Sequence, residues 1–419
     1  MDLEIVTIGT ELLLGYTQDS NAADIARSLA PIGVRVVRRS TVGDDEAAIR
    51  QLVVECLERT GFVILTGGLG PTRDDVTKKA VARVFAAPLE LDNDYLEFLR
   101  QRFARLGTGP MPGSNRSQAE IPRGAVVLSN PRGTAPGLWL DGALGVAILL
   151  PGIPNEMRGI LQREVIPRLR VRLNEQHGHL RVTRSRTMRT TGVPESKVAD
   201  RLTALEPALG AISLAYLPGV DGVDLRLTAW EMPVHEVDGA LGSAVALLRP
   251  ALGSDFYGEG DVDLAAVVLD RMRDAGFALA VAESCTGGGL GARLTAVPGS
   301  SEVFAGGVIS YSNRSKIRDL GVSERLIEEH GAVSVPVAEA MAHGVRDRFA
   351  TDAAVAVTGV AGPGGGTPEK PVGTVCLAAC LGEHTSSLKR WFPGSRSEVR
   401  QRCAQAALDL MRRRLEGAV

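Results

Sequence analysis

Short apolar runs that pass into turns rich in glycine and hydroxyl residues, and then into helical patterns, constrain this 419-residue chain more than any other feature. Val146-Ala147-Ile148-Leu149-Leu150 is one such run. A strand without polar alternation reads as buried on both faces of a parallel sheet, and parallel strands need crossover helices. In residues 1–172 the pattern predicts strands at 3–8, 34–38, 62–65, 125–128 and 145–150. Helices are expected near 20–30, 45–59, 74–85, 92–106 and 155–169. That order predicts a doubly wound α/β domain.

Residues 173–256 change character. Strands expected at 181–189, 212–216 and 223–230, with helices near 195–205 and 234–248, make a small α+β domain. Gly219-Val220-Asp221-Gly222 has the GxxG spelling of an RNA-gripping loop. It falls between two strands, where such a loop belongs between helices, so it reads as a hairpin turn. Arg181, Arg184, Arg186 and Arg189 line the preceding strand, and polar strand faces are ordinarily solvated. From 257 to 419 the α/β rhythm resumes, with strands expected at 278–282, 308–311, 353–357 and 372–379 and a closing helix over 397–415. Three domains suit a chain too long for one core.

The composition excludes several classes. Lys+Arg is 47 against Asp+Glu 49, and aromatics make up only 4%, so neither a global positive field nor a row of stacking rings invites nucleic acid. Direct nucleic-acid binding and a membrane role are therefore not expected. The five cysteines, Cys56, Cys285, Cys376, Cys380 and Cys403, are an odd set scattered through apolar segments. They read as buried reduced thiols. With an opening strand pattern instead of a secretory signal, this sets the expectation of a cytoplasmic protein.

Three strand ends in the last domain carry chemistry. Glu283-Ser284-Cys285-Thr286-Gly287-Gly288-Gly289 joins a strand to a helix. Tyr311-Ser312-Asn313-Arg314-Ser315-Lys316 ends a second strand, and Thr358-Gly359-Val360-Ala361-Gly362-Pro363 a third. Ligands of open α/β sheets bind beyond the carboxyl ends of their strands. Small residues also serve close packing of a helix on a strand, and Lys316 alone would read equally well as a solvated lysine. No histidine lies near these segments, so a serine here would need another base. Ser284 as nucleophile with Lys316 as base fits, since a buried lysine can be neutral. Tyr311 or Thr358 could relay the proton or orient the lysine, and N–H groups of the 286–289 turn could hold an oxyanion.

In the first domain Thr66-Gly67-Gly68-Leu69-Gly70-Pro71-Thr72-Arg73-Asp74-Asp75 follows a buried strand. Glycines at such a turn suggest an anion cradle, and the acidic pair a metal or a general base. Helix capping by Asp is the competing reading. Gly9–Gly15, Gly43-Asp44-Asp45, 130–137 and 150–157 should converge at neighbouring strand ends.

The AESCTGG, YSNRSK, VTGVAGPGGG and FPGSRSEVR segments resemble the CinA (competence/damage-inducible protein A) family, whose C-terminal domain is a nicotinamide-nucleotide amidase. The N-terminal segments resemble that family's molybdopterin-binding-like domain. The resemblance implies deamidation of nicotinamide mononucleotide to nicotinate mononucleotide and ammonia, without a cofactor. It implies Ser284 as nucleophile, Lys316 as base and Tyr311 and Thr358 as helpers. It places Thr286, Gly287, Gly288, Asn313, Gly359 and Gly362 around the substrate and Arg396 and Arg400 on its phosphate. In the N-terminal domain it implies phosphate binding by Gly67, Gly68, Gly70 and Thr72. Asp75, with Asp44 and Asp74, would serve catalysis or a divalent metal, with hydrolysis of ADP-ribose as the activity. A symmetric homodimer is the expected assembly, the commonest one for such chains. The other implied role is that of an accessory protein in DNA uptake or recombination, acting through a protein partner above an idle N-terminal domain.

Overall fold

The computed structural model describes residues 1–107, 109–176 and 181–417. The chain divides into two compact units, Met1–Arg184 with Ala229–Gly239, and Ser185–Thr228 with Ala240–Val419.

The first unit holds a six-stranded sheet in the order Arg35–Val42, Asp2–Ile8, Phe62–Thr66, Gly145–Leu150, Gly137–Gly142, Val126–Leu128. The first four strands are parallel, and their side chains feed a core on each face. Leu3, Ile5 and Ile148 pack with Ile25, Leu29, Met157 and Ile160. Val6, Ile8 and Leu65 pack with Ile49, Val53 and Val81. This is the expected doubly wound α/β arrangement. The last two strands depart from the all-parallel expectation: Gly137–Gly142 runs antiparallel to both of its neighbours. The Asp141–Gly145 segment returns the chain too quickly for a crossover helix, so the strands can only form a hairpin. Asp45 fixes the start of the helix Glu46–Thr60, its Oδ1 accepting from the N–H of Ala48 at 2.7 Å.

The middle segment forms a four-stranded sheet in the order Ile212–Pro218, Val223–Pro233, Arg181–Thr190, Phe256–Glu259. Its last strand, antiparallel to Arg181–Thr190, went unforeseen because only four residues carry it. Gly219 and Gly222 close a hairpin, with the Gly219 N–H donating to the Gly222 carbonyl at 2.8 Å. Three of the four arginines of the row meet acids, Arg184 with Asp238, Arg189 with Asp224 and Arg186 with Glu259, and Arg181 donates to the Glu231 carbonyl.

The C-terminal part of the second unit is a five-stranded sheet ordered Phe304–Ile309, Leu279–Glu283, Ala353–Gly359, Thr374–Leu381, His384–Trp391. The first three strands are parallel and the last two antiparallel. One face presents Leu279, Val281, Val355, Val357 and Leu377 to the helices Leu264–Ala275 and Arg396–Leu415. The other presents Ala280, Ala282, Ala354, Ala356 and Ala378 to the helix Val335–Phe349. The strand His384–Trp391 and the helix Val335–Phe349 extend beyond the sequence expectations.

The long final helix also anchors the middle segment. Arg412 is fully buried, and its guanidinium donates to Asp409 Oδ1 (3.0 Å from Nε) and to the Ser254 carbonyl (2.6 Å). Arg413 reaches the other oxygen of Asp409 at 2.8 Å and Asp255 at 2.7 Å. Asp409→Ala would leave the buried Arg412 guanidinium with Glu416, 3.0 Å from its Nη1, as its remaining carboxylate. We expect it to lower the unfolding free energy by roughly 1.5–3 kcal/mol, read from the urea midpoint of the full chain.

Candidate functional site

The carboxyl ends of the three parallel C-terminal strands deliver Ser284, Ser310 and Thr358 to one edge of the sheet. Ser284 follows the strand Leu279–Glu283 directly, its N–H donating to the Val357 carbonyl at 2.9 Å. The turn after it requires Gly287 (φ 57°) and Gly288 (φ 91°) in the left-handed region that a side chain disfavours. Gly359 is needed for a different reason: a Cβ there would stand 3.1 Å from Cys285 Sγ and 3.0 Å from the Thr374 carbonyl.

Lys316 sits on the first turn and a half of the helix Asn313–Leu320, which Ser312 caps by accepting from the Ser315 N–H. The helix points Lys316 inward, where it is 2% exposed. Its Nζ lies 3.0 Å from Ser284 Oγ and donates to the Ser310 carbonyl at 2.8 Å. Among the described residues no carboxylate pairs with it. Burial therefore holds the amine below the ordinary lysine value, with Cys285 acting weakly the other way. A neutral amine in this place can donate to Ser310 and accept the Ser284 proton, which is the arrangement a Ser–Lys pair requires.

Neither Tyr311 nor Thr358 is among the hydrogen-bond partners of the lysine. Tyr311 is 58% exposed, and its hydroxyl accepts from Arg396 Nη2 at 2.7 Å. Thr358 is buried, but its hydroxyl donates to the Ala332 carbonyl at 2.8 Å. The expected proton-relay contacts are not made, because the strand ends at Ile309 and the chain swings Tyr311 outward. Asn313 opens the helix on its exposed side.

The oxyanion expectation for residues 286–289 narrows at three of its four N–H groups. The N–H of Gly287 donates to the Ser284 carbonyl, that of Gly288 to Glu283, and that of Gly289 to the Thr286 carbonyl. Glu283 is a functional residue that sequence reasoning passed over. An acid directly before a glycine turn that opens a helix is the signal that could have found it.

Arg396 and Arg400 stand one turn apart at the start of the helix Arg396–Leu415. Ser395 and Glu398 fix that start with a reciprocal capping box. Arg396 donates to the Gly362 carbonyl at 2.6 Å as well as to Tyr311. Arg400 donates to the Thr286 carbonyl at 2.6 Å. These acceptors carry no full charge. Thr286 Oγ1 is buried without a hydrogen-bond partner.

In the N-terminal domain a cavity of about 350 Å³ is lined by Gly67, Gly68, Gly70, Asp44, Asp74, Asp75, Glu11 and Glu156, among others. The glycines answer first to the loop's own packing: a Cβ on Gly67 would meet the Ile8 carbonyl at 2.2 Å, and one on Gly68 the Thr77 hydroxyl at 2.1 Å. Asp75 is engaged within the loop, accepting from the N–H of Gly70 (2.7 Å) and Thr72 (2.8 Å) and from the Thr72 hydroxyl. Asp44 accepts from the Thr10 N–H at 2.9 Å and its hydroxyl at 2.8 Å. Asp74 is held below the usual carboxylate range by the Thr72 hydroxyl. Among the described residues no three His, Cys, Asp or Glu side chains converge as a metal-binding set. Glu156, buried and accepting from Asn130 at 2.6 Å, joins the cavity from the helix Pro154–Ile160, within the 150–157 segment expected at this edge.

All five cysteines are buried and free. Among the described residues no helix is long and apolar enough to cross a membrane.

Comparison with known proteins agrees with this architecture. Residues 4–171 match the family described as probable molybdopterin binding domain, residues 185–258 the damage-inducible protein CinA KH domain, and residues 261–415 the CinA C-terminal domain. A CinA-like protein of Gemmatimonas aurantiaca is 52% identical over 414 residues, covering 99% of this chain and 96% of that one. A CinA-like protein of Salinibacter ruber is 42% identical over 417 residues, covering 99% and 100%. A crystal structure titled competence/damage inducible protein CihA, from Agrobacterium tumefaciens, is 40% identical, covers 35% of this chain and 89% of that one, and gives a TM-score of 0.34. The fold is thus a molybdopterin-binding-like α/β domain, a KH-like α+β domain and a CinA C-terminal domain in series. The chain belongs to the CinA family.

The lowered Lys316 value has a stability consequence with a definite sign. Between the folded value and the higher unfolded one, the unfolded chain binds the extra proton, so stability rises with pH across that window. We expect the urea midpoint of the parent to climb from neutral toward alkaline pH more steeply than that of Lys316→Met. Parallel slopes would show that Lys316 titrates as it does in water.

Proposed function

We propose that the C-terminal domain deamidates nicotinamide mononucleotide by Ser–Lys catalysis. The observation that carries this reading is the buried Lys316 amine 3.0 Å from Ser284 Oγ with no carboxylate beside it. Neutral Lys316 takes the Ser284 proton as Oγ adds to the carboxamide carbon. The carbonyl π pair moves to oxygen, and on collapse the C–N bond breaks while the Lys316 ammonium gives its proton to the departing NH2 group, which leaves as ammonia. Water then adds to the Ser284 ester, giving its proton to Lys316. The second collapse breaks the C–Oγ bond, returns the proton to Ser284 and releases nicotinate mononucleotide.

The substrate's 5′-phosphate is assigned to Arg396 and Arg400. Their present acceptors are two carbonyls and a phenol, and a phosphate would replace these with charge-assisted, two-pronged contacts. Tyr311 then acts at the rim with Arg396, and Thr286, Gly287, Gly288, Gly359 and Gly362 shape the floor.

The N-terminal cavity supports a second reading, a site for a phosphate-bearing ligand such as ADP-ribose. Its volume and glycine turn suit such a ligand. A divalent ion here would be held by one or two carboxylates together with the ligand's own phosphates. The accessory role in DNA uptake is the reading that remains if neither site turns over a nucleotide.

Ammonia release from nicotinamide mononucleotide by the parent, lost in both Ser284→Ala and Lys316→Ala, is the expected result. kcat should rise with pH to a plateau set by an apparent value below that of an ordinary lysine. Arg400→Ala should raise KM roughly tenfold to a hundredfold for the nucleotide, with little effect on the riboside lacking the phosphate. A folded parent that releases no ammonia would remove the deamidase reading.

A further inference from the structure

We infer that the oxyanion of the Ser284 reaction is held by the main-chain N–H groups of Cys285 and Thr286, and that Glu283 is the positioning residue that sets them in place. The inference rests on the serine-nucleophile reading above and adds the groups that would stabilise its transition state.

The assignment follows from accounting for every N–H between residues 284 and 291. That of Ser284 donates to the Val357 carbonyl at 2.9 Å, part of the sheet. Those of Gly287 and Gly289 donate back into the turn, to Ser284 (3.0 Å) and Thr286 (3.1 Å). Those of Gly288, Leu290 and Gly291 converge on the Glu283 carboxylate at 2.9, 3.0 and 2.7 Å. Among the described residues, no carbonyl or carboxylate accepts from Cys285 or Thr286. These two N–H groups directly follow the nucleophile, the position from which a main-chain donor reaches an oxygen on the atom the nucleophile attacks. The Thr286 hydroxyl, buried and unpartnered, is a second and independent sign that this corner is built for a polar ligand atom.

Glu283 explains why the turn holds this shape. Its side chain is 2% exposed, and both of its oxygens are occupied by N–H donors from the far side of the turn. Drawing Gly288, Leu290 and Gly291 onto one carboxylate folds the turn back on the strand end. The first two N–H groups after Ser284 are left without internal acceptors. A buried carboxylate that accepts three main-chain N–H bonds is a rigid support, and donors fixed before reaction cost no reorganisation when charge develops. On the other side, Gly359 lets its strand end approach Cys285 closely. The peptide between Cys285 and Thr286 thereby lies between that strand end and the turn drawn onto Glu283.

Two measurements test this. The first uses the parent protein: phosphonylation of Ser284 by a fluorophosphonate, which needs no nicotinamide, followed by the crystal structure of the adduct. The phosphonyl oxygen is expected within about 2.7–3.1 Å of the Cys285 and Thr286 nitrogens. An oxygen held instead by Gly288 N–H, by a side chain alone, or by solvent overturns the inference and leaves the deamidase reading untouched. The expected adduct in a protein that releases no ammonia overturns the substrate and leaves the oxyanion assignment standing. The second is Glu283→Gln, which keeps the shape but places an NH2 against N–H donors. It should lower kcat for ammonia release and the rate of Ser284 phosphonylation together, by about 100-fold, with KM unchanged. A variant with the parent's urea midpoint and undiminished kcat would overturn the positioning role.

Discussion

Everything in the C-terminal site depends on one desolvated amine. Lys316 is enclosed by the sheet edge and its own helix, with a carbonyl and a serine hydroxyl as its partners and no carboxylate to stabilise an ammonium. A carboxylate at that point would restore the charge and abolish the base. The surrounding residues respect this: the acid nearest in sequence to Ser284, Glu283, turns its oxygens away into the N–H groups of the glycine turn. One buried carboxylate and one buried amine, brought to Ser284 from separate strand ends, are thus kept on separate duties.

The same economy governs the rest of the second unit. The alanine-rich sheet face allows the helix Val335–Phe349 to lie close, while the valine- and leucine-rich face takes the longer helices. The final helix serves twice. Its first turn carries Arg396 and Arg400 to the site, and its last turns carry the buried Arg412 and Arg413 to the middle segment. The GxxG of the KH-like segment closes a hairpin between strands, and Arg184 and Arg189 of those strands are paired with acids.

The two candidate sites differ in how their polar groups are disposed. At the C-terminal site a nucleophile, a base and two arginines without carboxylate partners meet a buried, unpartnered hydroxyl. At the N-terminal cavity Asp75 and Asp44 are already engaged with loop donors, and the glycines fit the loop's own atoms. The first arrangement has chemistry in waiting; the second has a shaped, acid-lined space.

The sequence by itself determined the doubly wound core and most strand positions, and it offered Ser284 with Lys316 as one reading beside that of a solvated lysine. Uninterrupted apolar runs and the absence of a nearby histidine are local facts that need no coordinates. It also determined that Gly219–Gly222 would be a hairpin, since its flanking strands are legible. Only the tertiary structure decided the antiparallel strands Gly137–Gly142 and His384–Trp391, because strand direction is set by how a short return packs and not by composition. It likewise decided that Tyr311 meets Arg396, that Thr358 turns to Ala332, and that the turn's later N–H groups belong to Glu283. Those outcomes depend on which donor and acceptor lie within a hydrogen bond's length of each other. Residues brought together from separate strand ends carry no such distance in their order along the chain.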